Sequence, residues 1–215
     1  MGKTGALVLA LALSGCGSSP QQAAPPTGAP ATPRPTTVAE STPYPPTPDG
    51  FAGKVLIERG RNLGASFSGV VWITPTSPDA LGVTAAISDA EAFSAFYQSA
   101  AERSTTANVL YVTPDLPPLP AGNYTESLRY VTIQPAGRSS AHKHPGIEAV
   151  LVLEGRILVR SGLGPPAVFT KGQGFYMIPN VPVQVINLAS TQSRSLVYGI
   201  IPAGLPFSTD IGESP

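Results

Sequence analysis

The chain has 215 residues, and its 13 acidic and 13 basic side chains cancel. Only 12% of its residues are charged, about half the usual share, and no cluster of Lys or Arg among aromatics offers a footing for nucleic acid. A single cysteine excludes internal disulfides, so the folded part must be held by its core.

At the N-terminus, Lys3 precedes an apolar stretch from Ala6 to Leu13. It is too short to span a bilayer but suits an export signal over residues 1–15. Leu13-Ser14-Gly15-Cys16 resembles the lipobox of bacterial lipoproteins, which implies cleavage before Cys16, acylation of its thiol and attachment to a membrane. Gly17-Ser18 lacks the aspartate that retains lipoproteins at an inner membrane. The expected location is therefore extracytoplasmic, on the outer membrane if the cell has two. Residues 16–50 then turn to Pro, Thr, Ala, Ser and Gln, a composition that reads as a disordered tether biased to polyproline II. Fully extended at ~3.1 Å per residue, such a tether reaches roughly 100 Å.

Residues 51–125 read as a β-rich extension with strands at Val55–Ile57, Val70–Ile73, Val83–Ile87 and Val109–Val112. Between them Ser88-Asp89-Ala90-Glu91 resembles a capping box. It would open one accessory helix carrying Phe93, Phe96, Tyr97 and Ala100 on a single face.

Residues 126–204 form a succession of short strand-like runs: Leu128–Ile133, Ala149–Leu153, Arg156–Arg160, Ala167–Thr170, Phe175–Ile178, Val183–Asn187 and Leu196–Ile201. Turns are expected at Pro135-Ala136-Gly137 and Gly172-Gln173-Gly174, and a tight hairpin at Glu154-Gly155. The fold class is all-β, a sandwich or barrel, followed by a C-terminal tail at 205–215.

The two histidines of the chain, His142 and His144, stand two apart with Glu148 four positions on. On a strand, residues i and i+2 share a face, and a carboxylate beyond the Pro145-Gly146 turn can meet both imidazoles. Imidazole nitrogen with carboxylate oxygen suits a divalent transition metal: Fe, Mn, Ni, Cu or Zn. The bland alternative is two solvent-facing histidines on one loop. No GxSxG elbow supports a serine hydrolase, and the sparse acids show no glycosidase pair.

The run from Pro135 to Gly155 resembles the first motif of the cupin superfamily, G(X)5HXH(X)3,4E(X)6G, with one residue fewer between Gly137 and His142. Gly172, Pro179 and Asn187 echo the second motif. The resemblance implies a small antiparallel β-barrel or jelly roll over 126–204 and is consistent with a homodimer. It also implies a metal held by His142, His144, Glu148 and a third histidine, whose place is taken here by Val183 or, in another register, Gln184. Tyr176 and Gln184 are candidates to orient a small-molecule ligand. Three readings follow: a metal site presented to a small molecule, a metal-free binding or structural module, and a metal-dependent oxygenase or isomerase. The barrel alone does not choose among them.

Overall fold

The computed structural model describes residues 36–37, 49–75, 82–102 and 108–212. The expected signal segment 1–15, Cys16, most of the tether and residues 213–215 of the tail lie outside the described residues. The strands are β1 (Thr36–Thr37), β2 (Asp49–Leu63), β3 (Val70–Pro75), β4 (Val83–Ser88), β5 (Glu91–Gln98), β6 (Tyr111–Val112), β7 (Gly122–Arg138), β8 (His142–Lys143), β9 (Ile147–Glu154), β10 (Arg156–Ser161), β11 (Gly164–Thr170), β12 (Gly174–Met177), β13 (Val183–Asn187), β14 (Ser193–Pro202) and β15 (Thr209–Asp210).

Eleven strands make one nearly closed antiparallel sheet of two leaves. One leaf runs β12-β9-β14-β7-β2 and the other β1-β11-β10-β13-β8-β15. The leaves join where the end of β7 meets β13, Arg138 opposite Ile186. The expected turn at Pro135-Ala136-Gly137 is a kink inside β7 at that corner, with Ala136 at φ +59°. Asn187 holds the kink by donating its amide to the carbonyls of Ile133 and Gln134 at 2.8 and 3.1 Å. This gives the second-motif asparagine a structural task.

Two-residue periodicity sorts the side chains. Val150 and Val152 on β9, Phe175 and Met177 on β12, Ile157 and Val159 on β10, Val183 on β13 and Val197 on β14 fill the barrel interior. Their neighbours Ala149, Leu151, Leu196, Tyr198 and Ile200 face outward. They pack against a second sheet of order β4-β5-β3-β6, burying Val71, Ile73, Phe93, Ala95 and Tyr97. Burial of each such apolar side chain contributes about 1.5–3 kcal/mol. Glu126, 1% exposed, is fully paired on this outer face. It accepts from Arg59 Nε (2.8 Å), Arg61 Nη1 (2.6 Å) and Tyr198 OH (2.6 Å), tying β2 to β7 and β14.

Two sequence expectations are corrected. No accessory helix opens at Ser88: Asp89-Ala90 turns the β4–β5 hairpin, Ser88 opposite Glu91. Phe96 and Tyr97, which a helix would place side by side, fall on opposite faces of β5, Tyr97 toward the barrel and Phe96 stacked on Trp72 at 4.1 Å. The β-branched and aromatic partners across β3 override the local capping pattern. Glu154-Gly155 makes no hairpin either. β9 pairs β12 and β14 while β10 pairs β11 and β13, so this turn, with Gly155 at φ +88°, carries the chain from one leaf to the other. Two further points bear on the boundaries. Thr36–Thr37, within the expected tether, adds an edge to β11, and β7 crosses the 125/126 boundary.

Candidate metal centre

His142, His144 and Glu148 come together at one mouth of the barrel. One donor atom from each lies within 4.8 Å of the other two. The pleat explains Glu148: on β9 it shares the interior face with Val150 and Val152. His142 sits on β8 with His144 two residues on, ring centroids 4.9 Å apart and near perpendicular, and the chain then reverses through Pro145-Gly146 to bring Glu148 back to them. That reversal needs glycine, because a Cβ at Gly146 would fall 2.0 Å from the carbonyl oxygen of Ile200.

Both imidazoles are oriented by backbone carbonyls. His142 Nδ1 lies 2.8 Å from Ser140 O and His144 Nδ1 2.7 Å from Phe207 O. A carbonyl only accepts, so each Nδ1 carries a hydrogen, and in the neutral tautomer each ring presents a bare Nε2 lone pair, as metal-ligating histidines do. His144 Nε2 is buried and lies 2.8 Å from Glu148 Oε2, yet outside hydrogen-bonding direction, so it is left with no hydrogen bond. An orphaned ring nitrogen beside a carboxylate fits a divalent ion. Two donors on one ion are at most about 4.4 Å apart, so a small side-chain adjustment closes the triad.

Electrostatics bind the pair together. Burial opposes the charged form of His144, but the Glu148 carboxylate and the Phe207 carbonyl outweigh it and raise the imidazole pKa above its ordinary 6.5. Burial likewise pushes Glu148 up, and His144, His142 and Arg129 together pull it below 4.5. 

The triad opens on a cavity of about 420 Å³ lined also by Arg129, Val131, Val185, Ser195 and Phe207. Of the residues singled out from sequence, Val183 lies on the interior side, opposite His142 across the β8–β13 pair, among Met177 and Val150. Tyr176 and Gln184 are not brought to this cavity. Tyr176 points outward into a groove of about 500 Å³ with Tyr111, a groove that no Asp, Glu, His, Lys or Arg lines. Gln184 faces away from the interior and donates to Ser139 O at 3.3 Å.

Two contributors escaped the sequence reading. Arg129 was legible by parity, since it stands two and four residues before the inward Val131 and Ile133. Phe207 was not, because it sits in the tail. β15 pairs with β8, Ile211 N donates to Ala141 O, and Ser140 Oγ donates to Asp210. These bonds hold residues 207–211 across the mouth, with the Phe207 ring 4.8 Å from that of His144. Gly199, interior-facing between Glu148 and Ser127, makes room for this ring: a Cβ there would come within 2.4 Å of Phe207 Cε2.

Residues 129–198 match the family model described as Cupin domain, and the barrel is a cupin domain. Similar solved structures include an RmlC-like cupin family protein from Methanocaldococcus jannaschii (14% identity over 34% of this chain and 68% of that one, TM-score 0.33). Others are a Cupin 2 conserved barrel domain protein from Salinispora arenicola CNS-205 (23%, 36% and 64%, TM-score 0.33) and the DMSP lyase DddQ from Ruegeria pomeroyi DSS-3 (15%, 40% and 42%, TM-score 0.36). The chain thus spans less than half the length of that lyase. No curated protein matches it.

Proposed function

We propose that this protein is an envelope-anchored cupin lipoprotein that holds a divalent transition metal through His142, His144 and Glu148 and presents it to a small molecule in the adjoining cavity. The observation that carries the reading is the pair of carbonyl-oriented imidazoles converging on one carboxylate, with a buried Nε2 left unsatisfied between them. A bound ion there supplies Lewis acidity toward a ligand oxygen. The chain's own part is to fix the two Nε2 lone pairs, keep Glu148 ionised and wall the cavity with apolar side chains that exclude water.

Elemental analysis of protein purified without a chelating tag, after reconstitution, should find about one equivalent of transition metal per chain, and His144→Ala should lower its affinity at least ~100-fold. Less than about a tenth of an equivalent overturns the reading. Val183 favours a second one, a metal-free binding module, because an isopropyl group occupies the interior position facing His142. In that case His142→Ala leaves ligand binding and melting unchanged.

The membrane anchor rests on Cys16 and the apolar stretch before it. Labelled palmitate should enter the wild-type protein in a bacterial host and not Cys16→Ser, and equal labelling of both removes the anchor. No helix among the described residues is long and apolar enough to cross a membrane.

A further inference from the structure

The cavity carries one cation that is not a metal ligand. Arg129 lines it beside His142, His144 and Glu148. Its guanidinium is held on three sides: Nη2 donates to Glu58 at 2.7 Å, Nε donates to Ser127 Oγ at 3.3 Å, and Cζ lies over the Phe207 ring, 3.8 Å from the centroid. Nη1 donates to no described residue. An arginine pinned in this way has little rotamer freedom left to lose on binding, and its planar fork matches a carboxylate better than it matches a neutral oxygen.

The walls around it are apolar, among them Val131, Val150, Ile157, Phe175 and Val197. A divalent ion beside Glu148 adds charge of the same sign as Arg129. Between low-dielectric walls such an excess of positive charge is unfavourable until an anion joins it. Glu58 offsets the guanidinium only from the outer side, where its carboxylate is 46% exposed.

We infer that the cavity takes a small organic carboxylate, its charged end on the Nη1 edge of Arg129 and its apolar part against Val131, Val150 and Phe175, next to the ion-holding triad. The ion in this arrangement rests on the metal reading; the arginine does not.

Isobutyrate and its neutral isostere isobutyramide, titrated by calorimetry into the full chain, test this with Co(II) bound and again in EDTA. Isobutyrate should bind at least about tenfold tighter than the amide, and Arg129→Gln should abolish that preference while Co(II) still binds at one site per chain. Arg129→Lys keeps the charge without the fork and should restore part of the preference, and melting curves report whether either variant is folded. Equal binding of acid and amide by the wild type, or a preference that survives in Arg129→Gln, overturns the inference. If Co(II) does not bind, the metal reading alone falls and the EDTA titration decides. An Arg129-dependent preference there upholds the carboxylate site, and its absence removes it.

Discussion

Phe207 and Ser140 contribute to the centre through their backbone oxygens, which set the tautomer of the two histidines; their side chains do not determine it. The consequence in the metal-free protein is a buried His144–Glu148 contact whose two pKa values move apart. A raised imidazole pKa stabilises the fold below the unfolded value of 6.5, and that contribution is lost as pH rises through the folded value. A lowered carboxyl pKa stabilises above 4.5, and its contribution is lost as pH falls through the folded value. In EDTA, the Tm gap between wild type and Glu148→Gln should therefore be widest between pH ~4.5 and ~6.5 and narrow toward pH ~8. A gap that stays constant across that range would show the two groups uncoupled. Glu148 is legible from sequence because strand parity puts it with Val150 and Val152. The same parity, within the expected strand Leu128–Ile133, puts Arg129 on the inward face with Val131 and Ile133.

At the scale of elements, the segment from Phe207 to Ile211 belongs to the site although it lies beyond the cupin match. It orients His144, covers the mouth with one ring and clamps Arg129, while most of its residues stay exposed. Deleting residues 205–215 should leave the barrel folded, because its interior is built from strands β7 to β14, yet lower metal affinity by ~10 to 100-fold, as loss of a partner to a ligating histidine does. Far-UV circular dichroism with metal titration checks both halves, and an unchanged affinity would reduce the segment to a simple tail. Nothing local in Leu205-Pro206-Phe207 announces this role; it depends on a long-range pairing with β8. The Ser88–Glu91 pattern misleads for the opposite reason. Its local signal is strong, but the Asp89-Ala90 turn and the aromatic partners of β5 across β3 decide the outcome. Half of a capping box does occur, one strand later, where Ser99 N donates to Glu102 Oε2, while Glu102 N donates to the Ser99 backbone carbonyl as in any 3-10 turn.

For the whole molecule, the alternating apolar runs made the barrel readable, since each of the seven runs expected over 126–204 is a strand, with boundaries off by a few residues at most except in β7. The partner of each strand was not readable, and neither was the second sheet resting on the outward face of β9 and β14. Pairing in a jelly roll joins distant stretches of chain, and periodicity carries no record of which. The same topology governs when the centre can form. His142 needs Val183 and Asp210 beside it, and Glu148 needs Gly199, partners lying roughly forty to seventy residues further along the chain. The three ligands lie within residues 142–148, but the strands that fix their geometry come from far along the chain, so an ion has no assembled site to template before those strands pair, unlike in small zinc modules. Stopped-flow refolding should proceed at the same rate with and without added metal, whereas acceleration by metal would mean the ligands gather early. Loading is then the last event in maturation. If the chain is exported as proposed, and folds only outside the cytoplasm, the ion it acquires is whichever one that compartment supplies.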